Sequence, residues 1–142
     1  MIVLDTSVLT YAVGDPHRFE APSRELMNAI GAGRIAATTT VEVIQEFAHV
    51  RARRRSRGRA ISDAESFALA LAPLISTDSV DVHMGLEIFG ATRLGAFDAV
   101  LAAAAMRRGA DALVTADAAF AEVAGLRVLA LDGPELAELI RA

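Results

Sequence analysis

The chain has 142 residues, no cysteine and a formal net charge of −4. A chain of this length is expected to form one domain, residues 1–142, whose core needs no disulfide or structural metal. The lack of cysteine excludes thiolate metal sites and cysteine nucleophiles. All 14 basic residues are arginines, and the lack of lysine excludes P-loop nucleotide binding through lysine, Schiff-base chemistry and Ser–Lys dyads.

No segment has the features of a targeting or membrane-spanning sequence. The chain opens on an apolar strand segment rather than on a charged segment followed by a longer apolar one, so we expect no signal peptide. The longest apolar run, Ala99 to Met106, is too short to cross a bilayer. We therefore expect a soluble cytoplasmic protein with no membrane partner.

The first predicted element is a buried strand, Ile2 to Leu4, that ends in Asp5, Thr6 and Ser7. The run lacks polar alternation, which is typical of a strand covered on both faces in a parallel sheet. Thr6 or Ser7 is expected to cap the helix that follows. Ligands bind outside the carboxyl ends of parallel strands, so Asp5 is a candidate functional carboxylate, although a turn or capping role is the commoner explanation for this motif alone.

The following segments alternate between helix and strand. After a short helix over residues 6–13, Ser23 is expected to cap a second helix that ends near Gly31. Residues 34–38 are predicted as the second strand, and Thr40 is expected to lie at the start of the next helix.

The third predicted helix, residues 41–55, carries a carboxylate on its core-facing side. Val43 and Phe47 define this side by helical spacing, and Glu46 stands between them. A carboxylate on an apolar stripe is costly unless it is paired, protonated or bound to a cation. Glu42 lies at the margin of the stripe, and we interpret it as a solvated residue or as one that supports a site indirectly.

The same helix runs into a cluster of arginines. This run could be a solvated and mobile helix end with a loop at Gly58, a phosphate-binding rim for RNA, or a docking surface for an acidic partner. The candidate contact residues are Arg51, Arg53, Arg54, Arg55, Arg57 and Arg59.

The middle of the chain has weaker patterns. Ser62 is predicted to cap a helix that runs to about Leu71. Residues 80–82 are predicted as a short strand, followed by a helix over residues 84–89 whose Leu86 and Phe89 face inward.

Two further aspartates stand where elements begin or end. Asp98 lies in the first turn of the most apolar predicted helix, which continues to Gly109. Asp117 follows the predicted strand Ala112 to Thr115 and repeats the strand-then-aspartate pattern of Asp5. A small helix, a last strand near residues 127–131 and a closing helix from residue 134 complete the chain.

The three histidines do not form a predicted metal site. His17, His49 and His83 lie in separate segments without metal-ligand spacing, and we interpret them as structural or surface residues.

The acidic residues indicate a class of chemistry. Alternating strands and helices predict an α/β fold with a mostly parallel sheet, in which these carboxylates gather near one edge. Clustered carboxylates repel one another unless cations neutralise them, and Mg²⁺ and Mn²⁺ prefer such oxygen ligands. One or two such ions can clamp a phosphodiester and activate a water. The pattern therefore favours metal-assisted phosphoryl hydrolysis.

Four segments in order carry a resemblance that covers essentially the whole chain. They are Ile-Val-Leu-Asp-Thr-Ser ending at Ser7, Val-Ile-Gln-Glu-Phe around Glu46, Phe-Asp-Ala-Val-Leu-Ala around Asp98, and Val-Thr-Ala-Asp-Ala-Ala-Phe ending at Phe120. Each motif alone is common, but the ordered set resembles the PIN domain and, more closely, the VapC toxins of bacterial toxin–antitoxin pairs. The resemblance implies a three-layer α/β/α sandwich and an endoribonuclease that uses one or two Mg²⁺ or Mn²⁺ ions.

The resemblance also implies roles for individual residues. Asp5 and Asp98 match the firmest metal ligands of the family, Glu46 would bind the metal or orient a water, and Asp117 would complete a second or outer site. Thr6 and Thr115 match hydroxyl positions that could orient these groups. The candidate catalytic and metal-binding residues are therefore Asp5, Glu46, Asp98 and Asp117.

The implied partners are an RNA substrate, a second copy of the chain in a homodimer, and a VapB-like antitoxin whose basic tail enters the acidic cleft. Two alternatives within the same fold stay open: a PIN nuclease of RNA processing or decay that is no toxin, and an inactive scaffold that binds RNA or a partner. Two other folds with strand-end aspartates fit less well. A dehalogenase-like phosphatase needs an acid where Ser7 stands, and a receiver domain needs a lysine.

Overall fold

The central sheet has four strands that pair in parallel throughout the computed structural model, which describes residues 1–142. β1 lies between β2 and β3, and β4 forms the far edge. The parallel sheet predicted from the apolar runs is confirmed. The strands are β1 (Ile2–Leu4), β2 (Ala37–Thr38), β3 (Ala112–Thr115) and β4 (Val128–Ala130).

Six α-helices and one short 3-10 helix, Ala118–Glu122, lie between the strands, and a seventh α-helix follows the last strand. Parallel neighbours cannot be joined by a tight turn, so helices cross between them. The α-helices are α1 (Thr6–Ala12), α2 (Glu20–Gly31), α3 (Val41–Arg54), α4 (Arg57–Ala70), α5 (Ser79–Ala91), α6 (Ala96–Arg107) and α7 (Pro134–Arg141). None of them combines the length and apolar character needed to cross a lipid bilayer.

The core forms between the sheet and its helices. Every residue of β1 and β3 is buried, and α6 adds an unbroken buried run from Leu101 to Ala105. Successive side chains of a strand point to opposite faces, so this burial requires cover on both faces of the sheet. The predicted three-layer α/β/α architecture is confirmed.

The register of β1 and β3 positions the candidate site. Leu4, the last residue of β1, lies opposite Val114, one residue before the end of β3. Asp5 and Asp117 therefore leave the sheet at the same carboxyl edge, as the strand pattern predicted.

Two predicted helix starts are wrong. α2 begins at Glu20, and Ser23 is a fully buried residue inside it rather than its cap. α4 begins at Arg57 behind the cap Ser56, whose hydroxyl accepts from the Arg59 amide, so Ser62 lies within the helix. In both cases a serine suited to capping stands several residues inside a helix that tertiary packing extends.

The region of residues 79–91 also differs from the prediction. Residues 80–82 form no strand but the first turns of α5, which Asp78 opens with a capping box. Leu86 and Phe89 are exposed rather than inward. The reason is Gly85, whose Cα faces α6 so closely that a Cβ would lie 2.7 Å from the Val100 Cα. The small side of α5 packs on α6, and its large side chains face outward.

Candidate carboxylate site at the sheet edge

Asp5 is held by a set of local hydrogen bonds at the end of β1. It is itself the N-cap of α1, so the expectation that Thr6 or Ser7 caps this helix is wrong. Its Oδ1 accepts from the Thr6 amide at 2.7 Å, and its Oδ2 accepts from the Ser7 hydroxyl at 2.9 Å. The side chain is almost fully buried, and its two oxygens have fixed positions.

Thr115 connects the two strand ends. Its hydroxyl donates to Asp5 Oδ2 at 2.7 Å and accepts from the Asp117 amide at 3.0 Å. Asp117 opens the 3-10 helix, and its side chain accepts from the Ala119 amide at 2.9 Å. A single buried hydroxyl therefore joins the Asp5 carboxylate to the backbone of Asp117.

Ser7 is a site residue that the sequence reading missed. Its hydroxyl donates to Asp5 and also accepts from the Ala116 amide at 3.2 Å, so it joins the first turn of α1 to the residue that follows β3. The sequence signal for this role was a hydroxyl residue two positions after a strand-end aspartate, but this pattern predicted Ser7 only as a helix cap.

The glutamates of α3 lie in different surroundings. Glu46 accepts from the Thr6 hydroxyl at 2.7 Å, which brings it beside Asp5. Glu42 instead accepts a short hydrogen bond from Thr77, and its other carboxylate oxygen is buried without a partner. The solvated position considered for Glu42 is therefore wrong, and only Glu46 joins the network of Asp5.

Asp98 shows the electrostatics of the cluster most clearly. Burial and, in decreasing order, the negative charges of Asp5, Glu46 and Asp117 together raise its pKa to about 7. Burial also raises the pKa of Asp5, while the hydrogen bonds from Thr115, Ser7 and Thr6 oppose this rise. The four carboxylates thus act on one another, and none of them forms an ion pair with an arginine.

The carboxylate oxygens are of the ligand type that a hard divalent cation prefers, but they do not form a complete coordination site. No three carboxylate or imidazole groups lie close enough together to hold a metal ion by themselves. Mg²⁺ usually keeps several waters and uses one or two carboxylates together with substrate phosphates. An open cluster with unneutralised charge suits this mode of binding. The histidines are exposed and apart from it, in line with the sequence interpretation.

The arginine run divides into paired and unpaired members. Arg51 is buried and pairs with Asp63 at 3.0 Å, Arg59 reaches the same carboxylate at 3.4 Å, and Arg55 pairs with Asp15 at 2.9 Å. The Arg51–Asp63 pair joins α3 and α4 in a helical hairpin, and the Arg55–Asp15 pair joins α3 to the segment before α2. Gly58 lies within α4, so the expected loop at Gly58 is wrong. The members without an ion pair are Arg53, Arg54 and Arg57, which are exposed.

The chain belongs to the PIN domain family, whose sequence model matches residues 2–126. Within this class, it is 52% identical over 129 residues to Ribonuclease VapC7 of Mycobacterium tuberculosis (strain ATCC 25618 / H37Rv). That alignment covers 87% of this chain and 86% of the relative. The resemblance to PIN-domain proteins of the VapC kind, inferred above from four ordered motifs, is confirmed.

Solved structures support the same fold. The structure of FitAB bound to an IR36 DNA fragment contains a chain that matches with a TM-score of 0.73 at 17% identity, over 94% of this chain and 96% of that one. VapBC2 from Rickettsia felis, bound to a DNA fragment from its promoter, matches with a TM-score of 0.70 at 19% identity, over 92% and 98%. At these identities the likeness concerns the fold.

Proposed function

We propose that this protein is a metal-dependent endoribonuclease and the toxin of a VapBC-like toxin–antitoxin pair. The observation that carries the proposal is the set of four mutually repelling carboxylates at the carboxyl edge of the sheet, with no arginine to neutralise them. The 52% identity to a protein named Ribonuclease VapC7 supports the same activity. RNA cleavage would take place in the cytoplasm.

The residues of the cluster would share the work. Asp5 and Asp98 would hold Mg²⁺ or Mn²⁺, with Glu46 and Asp117 binding more loosely or orienting waters. One or two such ions, when bound, would neutralise the phosphodiester oxygens and lower the pKa of the attacking water. Thr115 and Thr6 would keep the carboxylates aimed, through the hydrogen bonds to Asp5 and Glu46.

The protonation of Asp98 would respond to the cation. With a pKa of about 7, the metal-free side chain carries a proton in about half of the molecules at neutral pH. A positive charge in the cluster favours the ionised form, so cation binding would release that proton. Metal affinity should therefore rise with pH around neutrality.

We further propose an antitoxin partner and a homodimer. Two of the structural neighbours come from the complexes named FitAB and VapBC2, and an antitoxin with basic residues would complement an acidic cleft. For the homodimer, the supporting feature is the exposed apolar stripe of Val82, Leu86 and Phe89 on α5. These residues follow helical spacing, and contiguous apolar surface of this kind marks interaction sites.

The test is cleavage of RNA by the purified protein with Mg²⁺, with EDTA, and with the variant Asp98→Asn. The matched control is Glu65→Gln, which removes an exposed carboxylate from α4, away from the cluster. We expect cleavage by the parent and by Glu65→Gln with Mg²⁺, and none with EDTA or with Asp98→Asn.

Other outcomes would point elsewhere. Cleavage that survives in EDTA or in Asp98→Asn would refute the metal-dependent site. RNA binding without cleavage, and without any effect of Mg²⁺, would indicate an inactive scaffold. If the protein cleaves RNA and no antitoxin encoded by a neighbouring gene inhibits it, the result would favour a nuclease of RNA processing or decay.

A further inference from the structure

A surface pocket of about 350 Å³ adjoins the carboxylate cluster on the side of β4. It shares Thr115 and Asp117 with the candidate site, and Arg18 and Phe19, which directly precede α2, form part of its wall. Small apolar residues supply most of the remaining wall, and Asp132 adds a carboxylate acceptor. Its volume lies at the lower end of the roughly 300–1,000 Å³ that small-ligand sites span.

Arg18 is a cation without a protein partner beside this acidic site. Its guanidinium carbon lies 4.7 Å from the centroid of the Phe19 ring, and the side chain forms no ion pair or hydrogen bond. Phe19 is buried, so its ring is fixed beneath the guanidinium. Arg18 is exposed, so its guanidinium can bind two phosphate oxygens at once or stack on a base.

The segment that carries Arg18 is held in place from two sides. The His17 ring stacks on Tyr11 at 4.7 Å between centroids, and its Nδ1 accepts from the Phe19 amide at 3.3 Å. At the other end of the segment, Asp15 pairs with Arg55 of α3. Because the backbone is ordered before any ligand arrives, little further ordering is needed for Arg18 to bind.

We propose that this pocket is a subsite for one nucleotide of the RNA, next to the phosphodiester at the carboxylate cluster, and that Arg18 contacts its phosphate. The inference rests on the proposed nuclease function. The charge and the position of the pocket's residues identify a nucleotide as its occupant. A carboxylate cluster repels a polyanion, and a nucleic acid that enters it needs a cation at its border. Arg18 lines the same pocket as Asp117 and can supply this cation because it has no ion-pair partner in the protein.

The experiment compares binding of single-stranded RNA to cleavage-disabled Asp98→Asn protein with and without Arg18→Ala. The probe is an oligonucleotide that the parent cleaves or, if the parent cleaves none, a random-sequence pool of about 12 nucleotides. We expect Arg18→Ala to weaken binding about tenfold, as for the loss of one charge-assisted hydrogen bond. We also expect the slope of log affinity against log salt to fall by about 0.7, the value for one phosphate contact on a single strand.

The matched control is Arg141→Ala, which removes an exposed arginine without an ion pair from the last turn of α7. It should leave both quantities close to those of the Asp98→Asn parent, and Arg18→Lys should recover part of the affinity. An Arg18→Ala variant with unchanged affinity and salt dependence would overturn the subsite, even if the parent cleaves RNA. A parent that cleaves no RNA, with a pool whose binding still depends on Arg18, would overturn the nuclease and support the subsite.

Discussion

The side chain of Asp98 carries the largest electrostatic consequence of the site. Its pKa rises from 3.8 to about 7 because it is buried among Asp5, Glu46 and Asp117. Between these two values the unfolded chain has lost the proton and the folded protein still holds it. The folded state is therefore favoured below pH 3.8, and this contribution falls as pH rises to about 7.

We predict that metal-free protein loses stability between pH 5 and pH 8, and that Asp98→Asn loses less, because the variant has no carboxyl to ionise. The measurement is urea unfolding in EDTA at the two pH values, with Glu65→Gln as the control that should follow the parent. Mg²⁺ at pH 8 should raise the stability of the parent by mass action and leave Asp98→Asn nearly unchanged. Equal pH dependence in the parent and Asp98→Asn would contradict the raised pKa.

Thr115 offers a second test at the scale of one hydroxyl group. Thr115→Val keeps the shape but removes the donor to Asp5 and the acceptor for the Asp117 amide. We expect RNA cleavage to fall about tenfold or more, corresponding to roughly 1–1.5 kcal/mol for a lost hydrogen bond. Thr115→Ser, which keeps the hydroxyl, should retain most of the activity. If both variants cleave alike, the hydroxyl does not position the carboxylates.

At the scale of elements, the hairpin of α3 and α4 depends on a buried ion pair. Arg51 has a side chain that is 7% exposed, and its partner Asp63 is 15% exposed. A charge left unpaired in such a position is strongly destabilising. The hairpin also carries the exposed arginines, so its stability and its surface can be changed separately.

We predict that Arg51→Ala lowers the free energy of unfolding by about 3 kcal/mol, because it leaves Asp63 buried with only the exposed Arg59 nearby. Arg53→Ala, at an exposed position of the same helix, should change it by less than about 0.5 kcal/mol. Chemical unfolding of the two variants measures the difference. A loss in Arg51→Ala no larger than that in Arg53→Ala would show that the pair contributes little.

The contact between α5 and α6 depends on the absence of a side chain at Gly85. We predict that Gly85→Ala costs about 1–3 kcal/mol, because its Cβ would overlap the backbone and side chain of Val100. Gly90→Ala in the same helix meets nothing within 4 Å and should be stabilising by roughly 0.5–1 kcal/mol through helix propensity. Thermal unfolding of both variants measures these changes in stability. A Gly85→Ala variant as stable as the parent would mean that the two helices separate easily.

At the scale of the whole molecule, the outward side of α5 is the surface that most needs a partner. Val82, Leu86 and Phe89 are 45%, 52% and 47% exposed, and they lie on one side of the helix. A stable interface needs about 800 Å² from each partner, so neighbouring residues would have to take part. Phe97, at the start of α6, is also exposed.

We predict that the protein is a dimer in solution and that Phe89→Arg converts it to a monomer, because a charge would be buried without a partner in the interface. Leu69→Arg, at a more exposed leucine on α4, is the control and should remain dimeric. Light scattering coupled to size-exclusion chromatography gives the mass of each. A monomeric parent, or a dimeric Phe89→Arg, would place the interface elsewhere or remove it.

The sequence by itself determined the parallel α/β fold, most of the order of the elements and which aspartates follow strands. These features depend on local patterns: unbroken apolar runs at Ile2–Leu4 and Ala112–Thr115, and the helical spacing of Val43 and Phe47. Such patterns can be recognised in the sequence because a buried strand or an amphipathic helix must carry an apolar residue at each position that faces the core. The same helical spacing placed Glu46 on the core-facing side of its helix, whereas its hydrogen bond to Thr6, beside Asp5, came from the tertiary structure.

Only the tertiary structure decided what depends on distant partners. The outward direction of Leu86 and Phe89 follows from the close approach of Gly85 to α6, and the pairing of Arg51 and Arg55 follows from acids on other segments. The roles of Ser7 and Thr115 required the register between β1 and β3. Hydrophobicity and charge are properties of a residue, whereas the partner that buries or neutralises it is a property of the folded chain.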